Sequence, residues 1–307
     1  MNREMEGFAG LELRMAGDAK TIAVAGARGE QVFAALAEAG KRGIASFRLF
    51  GDREEIRRYM TGSGLKEGEI VHCSNDQEAC DRAVDAVAEG SADLLMKGKV
   101  PTPLLLKTLL NRRELNPGHA LLSHCLVLEK PGGGFLGISD GGMVMHPGVE
   151  EKRRIIGSSV DLFHALGIPR PRVALLSATE QVNEKLPEST DADLLTRAWE
   201  EGDFPRCIVQ GPMALDLAVS RDSCEAKGYE GKIQGDADIL IAPDITAGNA
   251  LGKALIYLAG YAGGGLILGA KAPVILLSRS DSAREKLNSI LLGLTAAAGG
   301  NTQEEPG

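Results

Sequence analysis

Basic residues are in the minority here: 34 lysines and arginines stand against 42 aspartates and glutamates, a formal net charge of −8. A nucleic-acid partner needs a basic face to neutralise phosphates, so that class is set aside. Aromatic residues make up only 4% of the chain, with one tryptophan, which counts against an aromatic-lined binding module. The five cysteines (Cys73, Cys80, Cys125, Cys207 and Cys224) are odd in number, widely spaced and lack any C-x-x-C. They indicate neither a disulfide framework nor a structural zinc site, and read as reduced core thiols of a cytoplasmic protein. The first residues carry charges where a signal peptide would need an apolar run. The longest uncharged stretch, 254–270, holds five glycines and reads as helix, turn and strand, so no membrane span is expected. No H-E-x-x-H and no G-x-S-x-G occurs, and the five histidines are dispersed, so no metal site is expected.

What is present is a long alternation of short apolar runs and helical patterns across 307 residues, 44% of them hydrophobic and 39 of them glycine. Residues 21–25 (TIAVA) read as a buried strand, followed by a helix carrying Val32, Phe33, Leu36 and Ala37 on one face. The same rhythm continues through strands at 44–50, 70–73 and 92–96 and helices at 53–60, 76–88 and 101–110. It predicts βα units and a mainly parallel sheet covered on both faces. The pattern breaks at 121–142, where two apolar runs flank Glu-Lys-Pro-Gly-Gly-Gly and read as an antiparallel hairpin. It resumes after His146, with strands at 173–176, 207–209, 239–241, 266–268 and 273–277, a helix at 248–261 and a last helix at 282–292. Residues 301–307 read as a polar tail. The hairpin is the one interruption, so a domain boundary is expected near His146, with a cleft between the two domains.

Two pattern matches fail on context. The G-x-G-x-x-G at Gly132 leads into a strand-like run and lacks the helix N-terminus that holds a pyrophosphate. The run from Gly248 to Lys253 resembles a phosphate loop but is one residue short and ends in Ala254. A stronger candidate is the corner after the apolar run 272–277, where Ser278, Arg279, Ser280, Asp281 and Ser282 precede the last helix. A turn at the carboxyl end of a strand, backed by helix N–H groups, is an anion site by backbone geometry and dipole. Arg279 adds a two-pronged donor suited to phosphate. The plainer alternative is that Ser280 or Asp281 only caps the helix. A second such loop, with Asp244 and Asn249, precedes a helix bearing Lys253, and either residue caps that helix or binds substrate. A third holds Lys97 and Lys99 around Gly98. Of the histidines, His124 and His146 sit where strands end and loops begin.

At this point the residues carry a resemblance. The stretch 92–123 (ADLLMKGKVPTPLLLKTLLNRRELNPGHALLS), with SDGGMVMHPGVEEK, CIVQGPMALDLAVS, ADILIAPDITAGNALGKALIYLAG and GAKAPVILLSRSDSAREKL, resembles the phosphate acetyl/butyryltransferase family from about Thr21 to Leu292. The GPMALD and SRSDS strings lie nearer the butyryl branch. The resemblance implies a two-domain α/β fold with mainly parallel sheets and isocitrate/isopropylmalate dehydrogenase-like architecture. Residues 1–146 plus 266–307 would form the first domain and 147–265 the second. It implies a homodimer and the reaction acyl-CoA + phosphate ⇌ acyl phosphate + CoA, with coenzyme A as substrate and no permanently bound cofactor.

By the same resemblance, Arg279 binds the phosphate and Ser278 stabilises the carbonyl or tetrahedral oxygen. The general base is Glu285 or Asp281, the former by ungapped match to an aspartate of the acetyl branch. Ser123, Asp244 and Asn249 line the cleft, with His124, Lys97 and Lys253 as further substrate-binding candidates. Gln210 stands where an aspartate is expected, and Pro101 and Pro103 stand where small hydroxyl residues are usual. These departures motivate one alternative, a regulatory homologue without catalysis. A second is a metal- and NAD-dependent hydroxy-acid dehydrogenase of the same architecture, for which Asp236, Asp238 and Asp244 are the only nearby acids.

Overall fold

A computed structural model of the chain describes residues 7–15, 19–117, 121–204, 206–276 and 281–300. In chain order the elements are α1 (Phe8–Met15), β1 (Lys20–Ala25), α2 (Glu30–Lys41), β2 (Ala45–Gly51), α3 (Arg53–Ser63), β3 (Glu69–His72), α4 (Asp76–Ala88), β4 (Leu94–Lys97) and α5 (Thr102–Asn111). They continue with β5 (Ser123–Glu129), β6 (Phe135–Ser139), α6 (Val149–Ala165), β7 (Arg172–Leu176), α7 (Pro187–Glu200), β8 (Ile208–Met213), α8 (Leu215–Val219), α9 (Arg221–Lys227), β9 (Ile239–Ile241) and α10 (Ile245–Lys253). A single π-helical turn, Ala254–Leu258, extends α10, and β10 (Gly263–Leu268), β11 (Val274–Leu276) and α11 (Ala283–Gly300) complete the chain.

The chain divides into two compact units, residues 1–120 with 262–307, and residues 121–261. In the first unit the strands run β3-β2-β1-β4-β11-β10, all parallel except that β10 opposes β11. Ile22–Ala25 and Leu94–Met96 are fully buried, because βα crossovers cover both sheet faces. Helix α2 turns Phe33, Ala35, Leu36 and Ala39 inward, while α11 buries Ile290, Leu291, Leu292 and Leu294. The helices start where their sequence provides a cap: Asp52 accepts the Glu55 N–H at 2.8 Å, and Asn75 accepts that of Glu78 at 2.9 Å. The glycine run at the start of β10 lets α11 lie directly on the strand. A Cβ at Gly264 would stand 2.7 Å from the Ser289 nitrogen.

In the second unit the order is β5-β6-β9-β7-β8. The β5–β6 hairpin is antiparallel, with Cys125 opposite Ser139, and β6, β9, β7 and β8 follow in parallel. Its core joins Ile138, Ala174, Met213, Leu217, Ile233 and Leu240.

Three expectations change. The hairpin lies in the second unit rather than the first, so the division falls at 120/121 instead of near His146. The reason is pairing: β6 hydrogen-bonds to β9, which ties the hairpin to the later strands. The last helix runs on to Gly300 rather than stopping at 292: Gly293 is kept helical by close packing on the sheet, where a Cβ would stand 2.8 Å from Leu94 Cδ1, and Leu-Thr-Ala-Ala-Ala then continues it. The helix expected over 248–261 starts earlier, at Ile245, and ends in the π turn. The tail 301–307 lies outside the described residues. Among the described residues no helix is long and apolar enough to cross a membrane.

Candidate active site

In the first unit the strand order reverses between β1 and β4, and ligands of open α/β sheets bind at the carboxyl ends of strands beside such a reversal. There the loops after β1 and β4 interlock. Gly98 donates its N–H to the Ala25 carbonyl at 2.9 Å and Lys99 donates to that of Gly26 at 2.8 Å. Arg28 bridges the edge, donating to Asp76 at 2.9 Å and to the Lys99 carbonyl at 2.7 Å. Lys97 ends β4, and its ammonium donates to the Gly98 carbonyl at 3.2 Å. Strand β11 pairs with β4 so that Leu276 stands opposite Lys97. Strand β11 therefore ends next to the lysine loop. Leu277, Ser278, Arg279 and Ser280 themselves lie outside the described residues.

Beyond that corner, α11 opens with a reciprocal cap. The Ser282 hydroxyl accepts the Glu285 N–H at 3.2 Å and the Glu285 carboxylate accepts the Ser282 N–H at 2.7 Å. Glu285 thus has one oxygen in a helix cap, a role the sequence reading did not assign to it. Asp281 is half-buried. Lys286, also unassigned by sequence, is 2% exposed and donates to the Asp281 carbonyl, and its burial pulls the ammonium pKa below the ordinary lysine range.

In the second unit a second cluster forms where the amino end of β5 meets the carboxyl ends of β6 and β9. The Ser123 side chain is fully buried and its hydroxyl has no hydrogen-bond partner among the described residues; the His124 Nδ1 is likewise buried and, among them, unpartnered. Burial lowers the His124 pKa, an effect that Asp140 nearby opposes. Buried polar atoms are normally satisfied, so each of these exceptions is a group whose bonding a ligand atom would complete. Asp244 caps α10, accepting the Ala247 N–H at 2.9 Å. Capping falls to Asp244, which leaves Asn249 in the helix, where its amide donates to the Gly141 carbonyl at 3.0 Å. Lys253 is exposed at the far end of α10, about 13.5 Å of helix from Asp244, so the fold separates it from this cluster. His146 is exposed in the loop after β6. The residue that sequence reading passed over is Asp140. Aspartate followed by two glycines at a strand end is a turn-forming signal, because its short carboxylate reaches main-chain N–H groups ahead of it.

The remaining features do not compete. Cys125 lies in this cluster's strand, but burial pushes its thiol up to about 12, which removes it as a nucleophile. Gln210 donates to the Tyr229 hydroxyl at 2.8 Å and accepts the Ile233 N–H at 2.7 Å, so its departure from aspartate serves a loop anchor. Pro101 and Pro103 open α5. Asp236 pairs with Arg172, Asp238 accepts the Arg172 main-chain N–H, and Asp244 is the cap described above, so the three acids do not converge. A cavity of about 1220 Å³ opens at the opposite, amino edge of the first unit's sheet, where Arg48 and Glu69 neutralise each other.

Residues 76–294 match the sequence profile of a family described as "Phosphate acetyl/butaryl transferase". A probable phosphate butyryltransferase of Bacillus subtilis is 41% identical over 279 residues, covering 91% of this chain and 93% of its own. The phosphate acetyltransferase of Thermotoga maritima is 38% identical over 286 residues, covering 92% and 96%. Among solved structures, a branched-chain phosphotransacylase from Enterococcus faecalis superposes with a TM-score of 0.79 at 32% identity, covering 91% of this chain and 99% of that one.

Proposed function

The chain belongs to the phosphate acetyl/butyryltransferase family, and on that premise we propose that it moves a short, butyryl-sized acyl group between coenzyme A and inorganic phosphate. It is a phosphate acyltransferase of two α/β units, and neither the dehydrogenase nor the non-catalytic reading is favoured. The observation that supports this reading is the register of β11 on β4, in which Leu276, the last residue of β11, stands opposite Lys97.

In the direction of acyl-CoA synthesis, a base takes the proton of the CoA thiol. The thiolate attacks the acyl-phosphate carbonyl, the tetrahedral oxyanion collapses, and phosphate leaves with the C–O bonding pair. Three contributions are required: a carboxylate near the thiol, donors for the oxyanion, and a cation for the departing phosphate. Arg279 supplies the cation and Ser278 a donor. Glu285 is the proposed base, since its helix cap uses Oε2 and leaves Oε1 to take a proton. Lys97 adds positive charge at the same sheet edge. In the second unit, Ser123, His124 and Asn249 form the substrate-facing group, with the unpartnered hydroxyl and imidazole as the atoms a bound acyl or phosphate oxygen would satisfy.

The working form is a cytoplasmic homodimer. Support for the dimer comes from the π turn after α10, where Tyr257 is 58% exposed and Leu258 87% exposed on an otherwise apolar segment. Burying such side chains is favourable by roughly 1.5–3 kcal/mol each. Thiol release from acetyl-, propionyl- and butyryl-CoA, with and without phosphate, tests the function. Phosphate-dependent release that is fastest with butyryl-CoA is expected; no release from any of the three would overturn it.

A further inference from the structure

Asp140 is 1% exposed, follows β6 directly, and has no role in the chemistry above. Its carboxylate accepts four main-chain N–H groups. Oδ1 takes those of Gly142 at 2.6 Å and Met143 at 2.8 Å, the bonds of an ordinary aspartate turn. Oδ2 takes those of Val144 at 3.3 Å and of His124 at 2.9 Å. The last bond is different in kind, because it reaches back 16 residues to another strand and fixes the amino end of β5. Among the described residues no lysine or arginine pairs with the carboxylate, so the N–H groups alone offset its burial.

The same residue fixes a second group. A Cβ on Gly248 would stand 2.4 Å from the Asp140 carbonyl oxygen, so α10 sits against the Asp140 main chain with no room to move inward. Next along, the Gly141 carbonyl receives the Asn249 amide. The His124 ring in turn packs on Gly142, whose absent Cβ would lie 3.1 Å from the ring carbon Cγ. One buried carboxylate therefore sets the strand start that carries Ser123 and His124, the surface under the imidazole, and the acceptor that holds Asn249.

We propose that Asp140 is a positioning residue for acyl transfer, its carboxylate holding His124 and Asn249 in the arrangement that meets substrate. The proposal rests on the functional reading given above, in which those side chains face the substrate. A turn-capping role alone would require only the Gly142 and Met143 bonds. Replacement by asparagine keeps the shape but turns an NH2 group towards two of the four donors, which breaks either the bond to β5 or the bonds that order the turn carrying Gly141.

The test uses the full chain and compares kcat and KM for butyryl-CoA and phosphate in the unaltered protein, D140N, N249A and the double variant, all well below their unfolding temperatures. A displacement of about 1 Å costs on the order of 100-fold in rate, so D140N is expected to lose kcat on that scale with much smaller changes in either KM. N249A should lose about tenfold, and the double variant should be no slower than D140N, because Asn249 is already misplaced once Asp140 is gone. A D140N kcat within threefold of the unaltered protein, or losses that multiply in the double variant, would overturn the proposal and leave Asp140 as scaffold. Should D140N fail to fold, D140E keeps the buried charge and displaces it by a methylene, and the same outcomes decide. Absence of thiol release by the unaltered protein overturns the functional reading and takes this inference with it. Release by the unaltered protein together with an undiminished D140N overturns this inference alone.

Discussion

Gly98 rests directly on the main chain of Gly26, so closely that a Cβ on Gly98 would lie 2.1 Å from the Gly26 carbonyl oxygen. Two loops from neighbouring parallel strands thus touch backbone to backbone at the sheet edge where the chemistry is proposed. The contact leaves Lys97 and Lys99 on either side of a residue that tolerates no side chain.

Gly98→Ala should therefore destabilise the chain by about 1–3 kcal/mol, the usual scale of overpacking, and lower the melting temperature by several degrees. Gly157→Ala supplies the contrast. Gly157 lies inside α6 with nothing within 4 Å of its missing Cβ, and alanine there should stabilise by about 0.5–1 kcal/mol. Thermal unfolding of both variants checks the pair. Equal behaviour would contradict the close approach at Gly98.

His124 gives a pH dependence with a defined sign. Its folded pKa lies below the unfolded value of about 6.5, because burial disfavours the imidazolium. The unfolded chain then binds more protons between the two values, so this group's contribution to stability is full above about pH 6.5 and is lost as pH falls through the folded pKa. Denaturant melts of the unaltered protein and of His124→Gln from pH 7.5 down to 5 measure the difference. The glutamine variant should lose less stability over that interval; a larger loss would contradict the burial of the imidazole.

The exposed π turn predicts an assembly. Leu258→Glu should shift the protein from dimer to monomer in sedimentation or light scattering, with the circular dichroism unchanged, since Leu258 is 87% exposed in the single chain. A variant that stays dimeric would place the interface elsewhere.

The sequence was most readable where periodicity and punctuation agree. The βα rhythm of the first unit follows from short apolar runs such as 21–25 and 92–96, which only a doubly covered sheet buries, and the observed strands lie within a few residues of those runs. The loop before α10 was legible because Asp244 carries a local capping signal that needs no tertiary knowledge, whereas the cap of α11 falls to Ser282 rather than to the Ser280 or Asp281 that the sequence suggests. What lay beyond reading was set by contacts distant in sequence. The hairpin joins the later unit because of its pairing to β9, 100 residues downstream, and Asp140 matters because it reaches His124 rather than because of its neighbours. Glu285 shows the opposite limit. Its spacing from Ser282 fits a capping box as well as a base, and residue types alone do not separate the two roles.

The central claim is that Arg279 grips the phosphate group that leaves or enters beside the thioester. Phosphate-dependent thiol release from butyryl-CoA, compared between the unaltered protein and Arg279→Ala, measures it directly. Removing one preorganised charged donor costs about 2–4 kcal/mol of transition-state stabilisation, so kcat/KM should fall by about 30-fold to nearly 1,000-fold. A fall of less than tenfold, with the phosphate dependence intact, would contradict the account.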